Sequence, residues 1–364
     1  MNRSFWQNKR VLITGHTGFK GSWLCLLLQS FGAVIAGFAL DPPTKPSLYE
    51  LARIEELVDS RNGDIRNLDA LTSRVSEFAP DVVFHMAAQS IILRSYDDPV
   101  ETYSTNVLGT VNTLEAIRRV GRPCVVVNVT TDKCYENKNW VWGYRESDSL
   151  GGRDPYSNSK ACAELVAKAF RDSFFEVSRL SEHGVALASA RAGNVVGGGD
   201  WTPRQLIPDT MAAFANGEPV VLRHPKAIRP WQHVLDCLTG YMTLAEALAS
   251  DPAAYSGDWN FGPGEQDACS VSHVVDLLAA LWDMDRPWVQ DAVIHAHEEQ
   301  QLRLDVSKAN HDLQWRCLLS IEESMQLVSS WYRDRRDGRD ARELCLDQIG
   351  CYFQRWNDSW GLAA

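Results

Sequence analysis

Arg10-Val11-Leu12-Ile13-Thr14-Gly15-His16-Thr17-Gly18-Phe19-Lys20-Gly21 leads a short strand-forming run into three glycines spaced three residues apart. Glycine at such a junction permits a tight turn. It also lets backbone N–H groups approach a pyrophosphate seated at the N-terminus of the following helix. The spacing is GxxGxxG rather than GxGxxG, and a glycine loop by itself is as often an ordinary connection. Here a strand-like run precedes the loop, apolar side chains at helical spacing follow it over Gly21–Phe31, and the segment stands near the N-terminus. That context reads as a dinucleotide turn, with Gly15, Gly18, Phe19 and Gly21 against the ligand.

The same alternation continues downstream. Runs rich in β-formers at Val34–Leu40, Val82–Ala87, Cys124–Thr131 and Val185–Ala192 are separated by helically spaced stretches at Leu68–Phe78, Val100–Val120 and Ala161–Phe170. Strands alternating with helices imply parallel strands joined by crossover connections. The expected architecture is α/β, a doubly wound parallel sheet of Rossmann type with a smaller mixed α/β substrate-binding lobe. Proline- and glycine-rich texture after Ala192 places the lobe at 191–231 and 264–335. The dinucleotide-binding domain then spans 1–190 with a return at about 232–263, and 336–364 is a tail of unassigned role.

A chain of 364 residues with 45% hydrophobic content can fill the core of such a unit. The formal charge of −11 and pI near 5.3 speak against nucleic acid or an anionic membrane as the principal partner, so an anionic ligand needs placed arginines. Nine cysteines, scattered and without CxxC spacing, indicate neither a disulfide framework nor a zinc site, and fit a reducing cytoplasm. No signal peptide opens the sequence. The longest apolar stretch, Trp23–Leu40, is interrupted by Gln29, Ser30 and two glycines, so a helix followed by a strand is expected there and no membrane span. His85, His224 and His233 lack metal-ligand spacing and are expected to be hydrogen-bonded structural residues; no metal is assigned.

Tyr156 and Lys160 lie four apart after Asp154-Pro155. On a helix they share a face, and an ammonium beside a phenol lowers its pKa from ~10 toward neutrality, which suits hydride chemistry on a hydroxyl. Asp41, just after the second strand, is placed to accept a ribose hydroxyl, favouring NAD over NADP; a solvated turn before Pro42-Pro43 explains it as readily. Gly63-Asp64-Ile65 offers a second carboxylate suited to an adenine amino group.

Together these motifs resemble the extended short-chain dehydrogenase/reductase family, and within it the nucleotide-sugar 4,6-dehydratases, most closely those acting on CDP-glucose. The likeness runs from about residue 5 to 320. It rests on Gly15–Ser22, Phe84–Gln89, Thr102–Val107, Thr130–Tyr135, Trp142–Glu146, Asp154–Lys160, Arg191–Asn194 and Ile228–Val234. By resemblance, Ala87, Ala88 and Thr130 join the NAD site. Tyr156 takes the proton of the sugar 4-hydroxyl as C4 is oxidised, Lys160 also holds the nicotinamide ribose, and Thr131 donates to the 4-hydroxyl or only caps the strand end.

Loss of water across C5 and C6 needs an acid and a base, for which Asp132 and Lys133 occupy the family positions. Related thymidine-nucleotide dehydratases carry a glutamate where Lys133 stands. A lysine of pKa ~10.4 reaches its neutral form at pH 7 at a cost of about 4.6 kcal/mol, which neighbouring cations and desolvation reduce. An electrostatic lysine holding a substrate hydroxyl, and a hydrogen-bonded strand-end aspartate, are the plainer alternatives for this pair.

On the substrate side, Asn194 and Arg229 resemble ligands of the diphosphate region. Two arginines are displaced from the CDP-glucose pattern: Arg94, reached through Gln89-Ser90-Ile91-Ile92-Leu93, and Arg204, which precedes Gln205. Ser90, Arg94 and Arg204 therefore stand as candidate substrate contacts in loops that leave another sugar or base open. The reaction implied is NAD-dependent dehydration of CDP-glucose to CDP-4-keto-6-deoxyglucose. A nucleotide-sugar 4-epimerase, a dehydratase of another sugar nucleotide and a non-catalytic NAD-binding regulator are the alternatives. The family analogy implies a cytoplasmic homodimer or dimer of dimers.

Overall fold

Seven parallel strands form the central sheet of the computed structural model, which describes residues 1–264, 267–292 and 300–360. Parts of the expected lobe and tail, at 265–266, 293–299 and 361–364, lie outside the described residues. β1 (Arg10–Thr14) is flanked on one side by β2 (Val34–Ala39) and then β3 (Asp59–Asn62). On its other side lie β4 (Val82–His85), β5 (Cys124–Val129), β6 (Val185–Ala192) and the strand Gly257–Phe261. Val11 pairs with Ile35 on one side and Val82 on the other, and the chain order reverses between β1 and β4. A doubly wound sheet opens a crevice at the strand C-termini at such a switch point, where ligands bind.

Burial accounts for the strands. Every residue of β5 and β6 is buried, as required of parallel strands covered on both faces. One cover is formed by the helices Phe19–Ser30 and Val234–Ser250, whose Trp23, Leu27, Leu238 and Met242 belong to the larger core. The other is formed by Leu68–Phe78, Gly109–Val120 and Pro155–Ser173, which bring Leu71, Leu114, Ile117 and Phe170 together. The lobe packs the helices Leu206–Ala215, Val271–Trp282 and Ile321–Arg336 around Met211, Leu278, Met325 and Val328.

Several element ends differ from the sequence reading. The run expected to end at Leu40 stops at Ala39, and that expected to end at Ala87 stops at His85. The fifth strand stops at Val129, because Thr131 caps a single 3-10 turn over Asp132–Cys134. The helix after Asp154 begins at Pro155, six residues before Ala161, with the Asp154 side chain accepting from the Ser157 N–H at its N-cap. Val100–Val120 is interrupted by a π-type turn at Ser104–Leu108. β3 gave no signal because Asp59-Ser60-Arg61-Asn62 is a polar edge strand without apolar alternation.

The C-terminal helix Ala341–Trp360 lies against the first sheet-covering helix, with Phe353 and Phe31 rings 4.9 Å apart. Its Tyr352 hydroxyl donates to Asp236 Oδ1 at 2.7 Å, and the Leu318 N–H donates to the same oxygen at 2.7 Å. Asp236 is fully buried, and burial pushes its carboxyl up to about 7 against the pull of these hydrogen bonds. The folded state thus retains a proton that the unfolded chain releases near 3.8, so this group costs stability as pH rises from there to about 7. Asp236→Asn keeps an oxygen acceptor without the titration. Its melting temperature should fall less than the parent's between about pH 5 and about pH 8; equal falls would place the dependence elsewhere.

Candidate active site

The strand C-termini and the lobe enclose a cleft of about 610 Å³. Its floor is the glycine turn. Gly15 has φ +78°, and a Cβ there would meet the backbone N and Cα of Ala87 at 2.8 Å; one at Gly21 would meet Gly15 O at 2.2 Å. Gly18 is the N-cap of the helix beginning at Phe19 and carries no side-chain cap, so backbone N–H groups face the cleft. This bare cradle, walled by Ala87 and Ala88, suits a dinucleotide pyrophosphate.

Asp41 is exposed at the end of β2, where it accepts a hydrogen bond from the Asn62 side-chain amide. Asp64 and Ile65 also line the cleft. The Asp64 carboxylate, expected to meet an adenine amino group, is held by Arg66 through Nε at 2.9 Å and Nη2 at 2.5 Å, and this hydrogen bonding pulls its pKa down.

Across the cleft, β5 ends and the Tyr156 helix begins. The Thr131 hydroxyl donates to Asp132 Oδ1 at 2.9 Å, and the Tyr156 side chain lies beside it. Lys133 Nζ stands 3.5 Å from the same carboxylate oxygen. Lys133 is partly exposed to the cleft, whereas Asp132 is fully buried and its Oδ2 has no hydrogen-bond partner. A Cβ at residue 193 would lie 1.9 Å from that oxygen, so only glycine leaves room for the Asp132 side chain. The geometry therefore gathers Tyr156 beside the hydrogen-bonded group Thr131, Asp132 and Lys133.

The expected electrostatics of the Tyr156–Lys160 pair need correction. Burial pushes the Tyr156 phenol up, outweighing the pull of the neighbouring Thr131 hydroxyl. Lys160 Nζ donates instead to Val129 O at 3.3 Å. Burial, aided by the charge of Lys20, draws Lys160 down to about 8. Spacing gives the shared face of the helix but not the depth at which it is buried.

Behind the set lie residues to which the sequence reading gave no role. Glu164, one turn after Lys160, accepts from the Thr130 hydroxyl and forms a buried ion pair with Arg191 at 3.0 Å. Thr130 thus reaches the cleft wall with its hydroxyl turned inward. Glu164 had a helical-spacing signal, being four residues beyond Lys160, but its partners lie far along the chain.

Among the substrate candidates, Ser90, Arg94, Asn194, Arg204 and Arg229 all line the cleft. Asn194 adopts φ +48°, and its buried Oδ1 has no hydrogen-bond partner. Arg229 is buried, with Nη1 donating to Ile228 O at 2.9 Å. Arg94 is half exposed and committed to Glu101, with contacts of 2.6 and 2.8 Å. Arg204 is exposed at the rim. His85 is buried between Thr14 and Thr110, and burial lowers it to about 3. His233 caps the helix at Val234. Among the described residues, no cluster of three or more His, Cys, Asp or Glu is arranged to hold a metal.

The model of the family described as GDP-mannose 4,6 dehydratase matches residues 12–328. The chain belongs to this family. It is 51% identical to a CDP-glucose 4,6-dehydratase of Salmonella typhimurium, over 97% of this chain and 98% of the relative. A dTDP-glucose 4,6-dehydratase of Xanthomonas campestris is 28% identical over 88% of the chain and 92% of its own length. Among solved structures, a Thermus thermophilus UDP-glucose 4-epimerase in complex with NAD superposes with a TM-score of 0.74 at 25% identity, covering 89% of this chain and 99% of that one. A Bacillus anthracis dTDP-glucose 4,6-dehydratase in complex with NAD gives 0.75 at 22%, covering 92% and 99%, and shares the fold.

A Cβ at Gly15 would crowd the wall against which the family's dinucleotide lies. Gly15→Ala should weaken NAD binding about 5- to 150-fold, the equivalent of a 1–3 kcal/mol overpacking cost, as read by calorimetric titration. Unchanged affinity would remove the turn from the cofactor site.

Proposed function

We propose that the protein is an NAD-dependent nucleotide-sugar 4,6-dehydratase that converts CDP-glucose to CDP-4-keto-6-deoxyglucose and water. The observation that carries this reading is the hydrogen-bonded group Thr131–Asp132–Lys133 beside Tyr156. A 4-epimerase needs the phenol and the hydroxyl but has no task for an adjacent acid–base pair.

Tyr156 and Thr131 address one sugar hydroxyl; Tyr156 accepts its proton as the phenolate, a form that the positive charge of an oxidised nicotinamide and of Lys160 would favour against the burial that raises it. The Gly15–Gly21 cradle would hold NAD, which would supply the acceptor for the hydride leaving C4 and the donor of the hydride that C6 receives. Oxidation at C4 acidifies the proton on C5. Lys133 takes that proton and Asp132 delivers one to the departing 6-hydroxyl, so water leaves; when C6 receives the hydride, Lys133 returns a proton to C5, exchanged with solvent in the interval. Their 3.5 Å separation lets one pair serve adjacent carbons. Lys133 faces the cleft while Asp132 is enclosed, a division suited to a base that must reach C5 and an acid screened from bulk water.

The choice of CDP-glucose rests on the Salmonella relative. Arg229 and Asn194 are the groups we assign to the phosphate-proximal part of the substrate, with Ser90 and Arg204 at the rim. The commitment of Arg94 to Glu101 makes that arginine a contact only if the pair opens. The strand Val220–Leu222 on the cleft wall is suited to run past the base.

We further propose a homodimer, or a dimer of dimers, joined through the helices around Val100–Val120 and after Tyr156. Val100, Leu108, Leu165 and Phe174 on these segments are 77%, 56%, 55% and 47% exposed, an apolar surface that a second copy would cover. A cytoplasmic location is consistent with nine free cysteines, and no described helix is long and apolar enough to cross a membrane. Residues 1–190 with 232–263 would carry NAD, and 191–231 with 264–335 the nucleotide sugar.

Incubation with CDP-glucose should yield a 4-keto-6-deoxy sugar nucleotide, with UDP-, dTDP- and GDP-glucose in parallel reporting base choice. An epimerised hexose that retains its 6-hydroxyl would sink the dehydratase reading. Lys133→Met should stop elimination while sparing C4 oxidation, so a single turnover ends with the cofactor reduced. Product formation at the parent rate would remove the lysine from the base role.

A further inference from the structure

We propose that the buried Glu164–Arg191 ion pair is a clamp that positions the Thr131–Lys133 turn, and that it serves elimination more than oxidation. The inference rests on the dehydratase reading for its kinetic part only. Glu164 Oε1 accepts from the Thr130 hydroxyl, Glu164 Oε2 meets Arg191 Nη2 at 3.0 Å, and Arg191 Nη1 donates to the Tyr135 hydroxyl at 2.9 Å. Thr130 immediately precedes the three-residue stretch Thr131-Asp132-Lys133, and Tyr135 follows it by two residues. One ion pair thus grips the catalytic turn at both ends. All four side chains are inaccessible: Tyr135, Glu164 and Arg191 are 1% exposed and Thr130 4%.

Outside the clamp, the flanks of the turn are tied by the Thr130 N–H to Ala190 O at 2.9 Å and by the Gly151 N–H to Cys134 O at 2.8 Å. The backbone N–H groups within it donate over long distances, Lys133 N–H to Thr131 Oγ1 at 3.4 Å and Cys134 N–H to Thr131 O at 3.3 Å, so the clamp acts on the part of the turn that its own backbone holds least. Tyr156 and Lys160, by contrast, are fixed by the regular helix Pro155–Ser173, whose N-terminus Asp154 caps. Removing the grip frees the acid and base while leaving the redox residues on their scaffold. The clamp is itself well seated. The Tyr135 hydroxyl donates onward to Asn260 Oδ1 at 2.6 Å, and its ring stacks on Tyr144 with centroids 5.3 Å apart. Arg191 also meets Asp258 at 3.1 Å, and Arg171 meets that aspartate at 3.1 Å, so two guanidinium groups face two carboxylates.

Truncating Glu164 would leave the buried Arg191 with Asp258 alone and the Thr130 hydroxyl without its acceptor, a strong destabilisation, so the test uses Tyr135→Phe, which deletes one hydroxyl and keeps the ring. In steady state with CDP-glucose, kcat should fall about 10- to 100-fold, the scale of a small misplacement of reacting groups. KM should remain within about twofold, and reduced cofactor should accumulate because oxidation outruns elimination. Hydrogen exchange supplies a reading independent of activity: the amides of Lys133 and Cys134 should exchange at least about fivefold faster while those of β5 are unchanged. Unaltered exchange at the turn overturns the clamp, as does a variant in which oxidation and elimination slow equally. A parent that makes no 4-keto product refutes the dehydratase reading instead, and the exchange result still decides for or against the clamp.

Discussion

Arg191 places a guanidinium where water does not reach, at the C-terminal end of β6, and the site is arranged around its neutralisation. An isolated buried charge costs several kcal/mol or more, and breaking a buried pair by deleting one partner costs about 3–5 kcal/mol. Glu164 from the Tyr156 helix and Asp258 from the outermost strand both meet this guanidinium, at 3.0 and 3.1 Å. Satisfying one charge therefore draws together β6, the strand Gly257–Phe261 and the helix that carries Tyr156 and Lys160. Thr130 and Tyr135 tie the end of β5 into the same knot.

From that constraint follows the separation of roles in the cleft. The redox pair sits on a helix buried against the sheet, where burial raises the phenol and lowers the ammonium. The acid–base pair sits on a short turn at the strand end, with a lysine toward the substrate space and an aspartate shut in by Gly193. The glycine cradle occupies the opposite wall. In the proposed reaction, a hexose bound with C4 at Tyr156 would present its neighbouring carbons to Asp132 and Lys133, which is what a dehydration triggered by oxidation requires.

Much of this is legible in the residues themselves. The Gly15–Gly21 turn announces itself through steric need, and the alternation of apolar runs gives the sheet because strands buried on both faces must be apolar throughout. The polar edge strand Asp59–Asn62 escapes that logic, since it is held by pairing with β2 rather than by burial. Tyr156 and Lys160 are found by helical spacing, but the direction in which the phenol shifts is not, because spacing carries no information about depth. Glu164 and Arg191 stand 27 residues apart, and Glu164 and Thr130 34 apart, so only the fold brings them into contact. Asp64 and Arg94 look like free ligands in the sequence and turn out to hold nearby partners, Arg66 and Glu101.

The central claim is that oxidation at C4 and loss of water across C5 and C6 occur within one closed site. CDP-glucose deuterated at C4, turned over by the purified protein and examined by mass spectrometry and NMR, addresses it directly. The account predicts a 4-keto-6-deoxy product carrying the C4 label at C6 of the same molecule, with hydrogen from solvent at C5. A hexose that keeps its 6-hydroxyl and regains the label at C4 would contradict it.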